Sequence, residues 1–205
     1  MNASAADRNA PGRRFARLQA GSRLQDPGYW PVPGNGLCLS TFLVLEAPDR
    51  PGHVLMGRID PAASWYELGA LTPERIAALG DRWVLPASQL LFFEDLQASA
   101  ERIAREQLNA PLPPLADPIA FSESSPRTTP ESTDPHWDIH FLFRGRWPTA
   151  RPPRSPVWRE LAFVDVAGLA RGGIGRNQAD VLDLVGLTAR GSASAPTSPG
   201  RTRRP

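Results

Sequence analysis

Lysine is absent from the 205-residue sequence, and cysteine occurs once, as Cys38. A single cysteine excludes an internal disulfide framework and a zinc site built from several cysteines. We therefore expect a reducing, cytoplasmic setting. No apolar run reaches the roughly 18 residues of a membrane-spanning helix, and the arginines near the N-terminus precede no apolar segment. Neither a membrane partner nor a secretory signal is predicted.

The positive charge of the chain comes entirely from arginine, with 23 basic against 21 acidic residues and a formal net charge of +2. We attribute the absence of lysine and the 23 prolines to compositional bias rather than to chemistry. Arginines without acidic neighbours occur near both ends, where they could contact phosphate groups weakly. No aromatic platform is interleaved with them, so we do not expect nucleic acid as a partner.

Composition divides the chain into one domain and two tails. Residues 1–25 are small, polar and rich in arginine, and residues 188–205 consist largely of serine, proline, glycine and arginine. Both segments are predicted to be disordered, because they contain too little apolar surface to form a core. Residues 26–187 carry the apolar segments without an internal repeat, which predicts a single domain.

Strand and helix signals follow one another irregularly within this domain. Strands are predicted for LCLSTFLVLE (37–46), HVLMGRI (53–59), HWDIHFLFRG (136–145) and WRELAFVDV (158–166), with shorter extended pieces at 82–88 and 119–123. Helices are predicted at 72–79, 95–108 and 177–187. The absence of a regular βαβ repeat predicts an α+β fold rather than a doubly wound sheet.

The segment LPASQLLFFEDLQASAERIAREQLNA (85–110) contains the motif with the clearest chemical meaning. It resembles the signature of Nudix hydrolases, G-x5-E-x7-R-E-U-x-E-E-x-G-U, in which U is aliphatic. Glu94 stands at the first glutamate, Arg102 at the arginine, and Glu106 at the first of the paired glutamates. The preceding Leu-Pro and the order of the predicted elements on both sides also resemble this family. We refer to residues 88–110 as the box.

The box departs from the family signature at several positions. Ser88 and Asn109 stand where the two glycines belong, Ile103 replaces the glutamate after the arginine, and Gln107 replaces the second paired glutamate. In the family, the three glutamates lie on one helix face and bind Mg²⁺ or Mn²⁺. The ion bridges the diphosphate and helps to activate the attacking water. Here that face reads Ile103, Glu106 and Gln107, so one carboxylate of three is present.

The resemblance implies a Nudix-like α/β/α sandwich with a mixed sheet and a metal-dependent hydrolase. Its substrate would be a nucleoside diphosphate linked to another group. Glu106 and Gln107 would hold Mg²⁺ or Mn²⁺ weakly, because Mg²⁺ can bind through one or two carboxylates together with waters and substrate phosphates. Glu94 and Arg102 would complete the catalytic set as an ion pair that braces the loop against the helix. The departures leave a second hypothesis open, a catalytically inactive Nudix-fold module that binds a nucleotide or a protein partner.

A predicted strand and the loop before it contain further polar candidates. His136, Asp138 and His140 alternate along one strand and therefore share a face. If that face lines a cleft, they could supply a base or a metal ligand, and His140 is our candidate for substrate contact. A solvated strand face is the alternative. Glu123 and Glu131 precede this strand, in the region where many Nudix enzymes place a further base.

Two neighbouring aromatic residues are candidates for recognition of a nucleobase. Trp65 and Tyr66 occur in the predicted loop DPAASWYELGAL, and their rings could stack on a base. The alternative is that they pack in the core or anchor the loop. Together with the box, they predict a nucleotide-type small molecule as the partner, whereas the sequence predicts no particular oligomeric state.

Overall fold

The structure is a computed structural model that describes residues 17–18, 37–125, 136–176 and 178–188. The strands in these ranges are β1 (Arg17–Leu18), β2 (Leu37–Glu46), β3 (His53–Ile59), β4 (Ala87–Gln89), β5 (Ile119–Ser125), β6 (His136–Arg146) and β7 (Trp158–Asp165). The helices are α1 (Trp65–Gly69), α2 (Pro73–Leu79), α3 (Leu96–Ile103) and α4 (Gln178–Leu184). A π-helical turn at Ala104–Leu108 continues α3.

The seven strands form one mixed sheet in which β2 is central. The main order is β5-β6-β2-β3-β7, and β1 and β4 also pair with β2. β6 runs parallel to β2 from the Leu37–Trp137 pair to the Glu46–Arg146 pair. The other strand pairs are antiparallel. The prediction of an α+β fold with a mixed sheet is confirmed.

Alternate residues of β2 face two different helices, because successive side chains of a strand point to opposite sides. Leu43 and Leu45 pack with Ile103 of α3, whereas Phe42 and Val44 pack with Leu182 of α4. Burial of a side chain of this size contributes about 1.5–3 kcal/mol. The sheet therefore lies between α3 and α4, as expected for an α/β/α sandwich.

Local sequence signals set the starts of two predicted helices. The side chain of Thr72 accepts a hydrogen bond from the Arg75 N–H at 3.4 Å, and Pro73 is the first residue of α2. Asp95 accepts from the Ala98 N–H at 2.7 Å and caps α3. The helix α1 was not predicted, since its residues were assigned to a loop.

The predicted tails fall almost entirely outside the described residues. Of residues 1–25, the structure describes only Arg17 and Leu18, and these pair with Cys38 and Leu37 as β1, where the sequence predicted no structure. Of residues 188–205, it describes only Thr188. Among the described residues, no helix has the length and apolar content needed to cross a membrane.

Candidate functional site

A buried ion pair joins the two halves of the box. Arg102 directs two nitrogens at Glu94, with Nε 2.6 Å from Oε1 and Nη2 2.7 Å from Oε2. Arg102 also donates to the Gln89 carbonyl at 2.9 Å and to Ser88 Oγ at 3.2 Å. A bidentate guanidinium–carboxylate contact is strong and geometrically specific. It holds the loop between β4 and α3 in one position against the helix.

The protonation of Glu94 follows from these contacts. Burial opposes the charged form, but hydrogen bonds from Arg102 and from the Leu91 N–H, with the positive charge of Arg102, outweigh it. The pKa of Glu94 is therefore lowered from its ordinary value. Glu94 is thus a charged bracing group at neutral pH, with both oxygens directed into the protein.

The residues that replace the two glycines of the box fit their local environments. Asn109 has φ 52° and ψ 41°, in the left-handed region that asparagine enters more readily than most residues. Ser88 is buried, and its hydroxyl receives the hydrogen bond from Arg102. Both residues are therefore compatible with the local backbone and hydrogen bonding of this segment.

Ile103 lies in the hydrophobic core. Its side chain is 0% exposed and belongs to the cluster formed by the α3 face of the sheet. The cluster includes Leu55, Phe143 and Phe163. The helix position at which the family signature carries a metal-binding glutamate therefore supports packing in this chain.

Gln107 is also 0% exposed, and its amide is bound to backbone groups. Its Oε1 accepts from the Ala87 N–H at 3.1 Å, and its Nε2 donates at 2.8 Å to the carbonyls of both Leu68 and Ala87. The Trp158 indole N–H binds the main-chain oxygen of Gln107 at 2.6 Å. Gln107 therefore does not present its oxygen to a metal ion, contrary to the sequence-based expectation.

The donor set at this helix face does not fit a divalent ion. Glu106 is partly buried, and its Oε1 lies 3.5 Å from Nη2 of Arg105. The other two residues of this helix face are the apolar Ile103 and Gln107, whose amide is hydrogen-bonded to backbone groups. Within the part of the chain that the structure describes, no group of three histidine, cysteine or acidic side chains could hold a metal. We therefore assign no reaction step to a metal at Glu106.

The candidate aromatic pair divides into one buried and one accessible residue. Trp65 is buried, its indole N–H donates to the Asp60 carbonyl at 3.0 Å, and its ring lies 4.6 Å from that of Trp158. Tyr66, by contrast, is 39% exposed. A stacking role therefore suits Tyr66, while Trp65 packs in the interior.

The polar face of β6 is covered rather than solvated at His140. This residue is buried between two phenylalanine rings, with centroid distances of 5.0 Å to Phe42 and 4.9 Å to Phe121. A direct substrate contact by His140 does not fit this burial. In the pairing of β6 with β5, His136 lies opposite Ser125 and Asp138 lies opposite Glu123. Glu131 lies outside the described residues.

An open cleft of about 430 Å³ lies between α1, α2 and the adjoining ends of β3 and β7. Its lining is mainly apolar and includes Trp65 and Tyr66. Arg159 and Asp81 also line the cleft and form an ion pair. Sequence reasoning missed Arg159 and Asp81, since they lie 78 residues apart and no local motif connects them.

Comparison with known proteins places the chain near Nudix structures. No family model matches the sequence, and no curated protein matches it. The chain is similar to a MutT protein from Methanosarcina mazei Go1, with 16% identity, a TM-score of 0.49 and coverage of 79% of this chain and 95% of that one. It is also similar to a MutT Nudix hydrolase from Burkholderia pseudomallei, with 12% identity, a TM-score of 0.44 and coverage of 65% and 87%.

A third similar structure contains bound ligands. It is a bifunctional NMN adenylyltransferase/ADP ribose pyrophosphatase from Francisella tularensis, complexed with AMP and a manganese ion. Identity is 14% and the TM-score is 0.44, over 78% of this chain and 43% of the Francisella protein. These values describe a likeness of structure and assign no activity to this chain.

Proposed function

We propose that this chain is a Nudix-like module that binds a nucleotide-type small molecule without hydrolysing it. The observation that carries the proposal is the burial of Ile103 and Gln107, the two box positions at which the signature has metal-binding glutamates. A metal ion at this helix face would have to displace core packing or break the hydrogen bonds of the Gln107 amide. The second hypothesis raised by the sequence is therefore favoured over the metal-dependent hydrolase.

The cleft beside Tyr66 is the proposed binding site. Ligand pockets typically measure about 300–1,000 Å³ and are mostly apolar, with a few polar groups that orient the ligand. The exposed ring of Tyr66 can stack on a base. Arg159 can bind an anionic group of the ligand. Its present partner, Asp81, is exposed to solvent, so the anionic group can replace Asp81 in the ion pair.

Hydrolysis is tested directly with purified full-length protein. Nucleoside diphosphate compounds are incubated with Mg²⁺ or Mn²⁺, treated with a phosphatase, and assayed for released phosphate. We expect no turnover above that of Glu106→Gln. Turnover that is lost in Glu106→Gln would show that the box is catalytic and would overturn the proposal.

Binding is tested without metal, using AMP, ADP and ADP-ribose as probes in EDTA. A ligand at 100 times its Kd stabilises the folded state by about 2.7 kcal/mol, which thermal unfolding detects. We expect Tyr66→Ala to reduce this stabilisation and Tyr66→Phe to retain it. Phe92→Ala is the matched control, because Phe92 is also exposed but does not line the cleft. Absence of a shift with every probe would contradict nucleotide binding and favour a protein partner.

A further inference from the structure

The side chain of Gln107 is the junction of three segments of the chain. Its amide nitrogen donates to the carbonyl of Leu68 in α1 and to the carbonyl of Ala87 in β4. Its amide oxygen accepts from the Ala87 N–H. Leu68 and Ala87 lie 39 and 20 residues away in sequence. One buried amide therefore links α1 and β4 to the box helix.

The helix α1 approaches this junction closely. A Cβ at Gly69 would lie 3.4 Å from the Ala87 carbonyl oxygen and 3.9 Å from Nε2 of Gln107. It would also lie 3.6 Å from the ring of Trp65. These are ordinary van der Waals distances, so the backbone of α1 lies directly over the amide of Gln107, which is consistent with its complete burial.

Two carbonyl oxygens converge on one nitrogen at this junction. Oxygens with partial negative charge repel one another unless a positive group lies between them, and the two amide hydrogens of Gln107 supply that group. A carboxylate at the same position would add a third acceptor and supply no hydrogen when ionised. Carboxylate and carbonyl oxygens are also the ligands that Mg²⁺ and other hard cations prefer.

We propose that the amide nitrogen of Gln107 takes the place of a divalent cation at this junction and makes the packing of α1 on the box helix independent of metal. The inference rests on the proposed function, in which the box holds no metal. It also explains why the Nudix-like shape persists when two of the three glutamates are missing. Its test measures stability instead of turnover, so its failure is distinguishable from the failure of the binding proposal.

The test compares thermal unfolding of the full chain and two variants in EDTA and in millimolar Mn²⁺. We expect the wild-type Tm to be the same in both. We expect Gln107→Glu to lower the Tm in EDTA by about 6–20 °C, since it buries an uncompensated charge, and Mn²⁺ to restore most of that loss. Gln107→Met, the matched control, lowers the Tm by about 2–12 °C and does not respond to Mn²⁺.

Two outcomes of this experiment contradict the inference. One is a Gln107→Glu protein whose unfolding, or failure to fold, is unchanged by Mn²⁺. The other is a wild-type protein that Mn²⁺ itself stabilises, because the junction would then already contain a cation site.

A second measurement uses NMR spectra of the wild-type protein, with Gln107→Met to assign the signal. In ¹⁵N-labelled protein, we expect one glutamine side-chain NH₂ pair to exchange slowly with D₂O and to disappear in Gln107→Met. Mn²⁺ is paramagnetic and broadens signals of nearby nuclei, so this pair should stay sharp when Mn²⁺ is added. Selective broadening of the pair, or its rapid exchange, would contradict the assignment of Gln107 as a closed, metal-independent junction.

Discussion

Replacement of Glu94 by glutamine removes one charge from the buried ion pair of the box. The side chains of Glu94 and Arg102 are 10% and 5% exposed, so water can compensate little for the lost charge. Removal of one partner of a buried pair costs about 3–5 kcal/mol. Since a domain of about 150–250 residues loses about 2–4 °C of Tm per kcal/mol, we expect Glu94→Gln to lower the Tm by about 6–20 °C.

A double-mutant cycle separates the ion pair from other effects of the substitution. Glu94→Gln, Arg102→Met and the double variant are unfolded in urea, and their free energies of unfolding are compared. We expect the double variant to be less destabilised than the sum of the two single variants, because no unpaired charge is left. Glu101→Gln, on the exposed side of α3, serves as the control and should change stability by about 0.5 kcal/mol or less.

The pH dependence of the same variants gives an independent check. Because the pKa of Glu94 is lower in the folded state, its ionisation stabilises the protein above the unfolded pKa of about 4.3, and this contribution is lost as the pH falls through the folded pKa. The difference in stability between wild type and Glu94→Gln should therefore shrink below about pH 4. A difference that stays constant down to pH 2, or an additive double-mutant cycle, would refute the bracing role of the pair.

Substitutions at four further positions test local features of the fold by thermal or urea unfolding. Gly57→Ala should destabilise by about 1–3 kcal/mol or more, because the new Cβ would lie 2.2 Å from the ring of the buried Trp158; unchanged stability would contradict that packing. Thr72→Ala should cost about 1 kcal/mol through loss of the α2 cap, with no loss if the cap is absent. Asn109→Val should lower the Tm while Asn109→Gly does not, since glycine adopts φ 52° freely and β-branched valine is strained there. Phe93→Gly should raise the Tm, because Phe93 is 96% exposed at φ 65°; a fall would mean that its ring contributes to stability.

The elements that sequence predicted well are those with a local physical cause. The strand predicted at 37–46 is β2 with the same bounds, since a mainly apolar segment suits a central strand covered on both faces. The helix predicted at 72–79 begins after Thr72, because its cap and its first-turn proline act within four residues. The pairing of Glu94 with Arg102 was expected because the resemblance of the box to the Nudix signature implies it, and the structure contains this ion pair.

The burial of individual side chains in the sandwich was harder to predict from the sequence, because it depends on elements that are distant along the chain. The alternation along 136–145 indicated two faces of a strand but not what covers each face. α4, which begins at Gln178, packs on the same face of the sheet as Leu142, and this face also contains the buried His140. The strand pattern therefore predicted the element correctly, while the substrate contact assigned to His140 does not fit its position.

Gln107 shows why the box motif could not decide between metal binding and structural support. The signature places residue 107 on the same helix face as Ile103 and Glu106, and a glutamine there has an oxygen that could ligate a metal. Its actual partners are backbone groups of Leu68 and Ala87, and Trp158 binds its main chain from 51 residues away. The contacts with Leu68 and Ala87 do not depend on the side chains of those partners, so no sequence pattern records them. Motif spacing identifies which side chains share a helix face, whereas the long-range fold determines whether that face meets solvent or is closed by the chain itself.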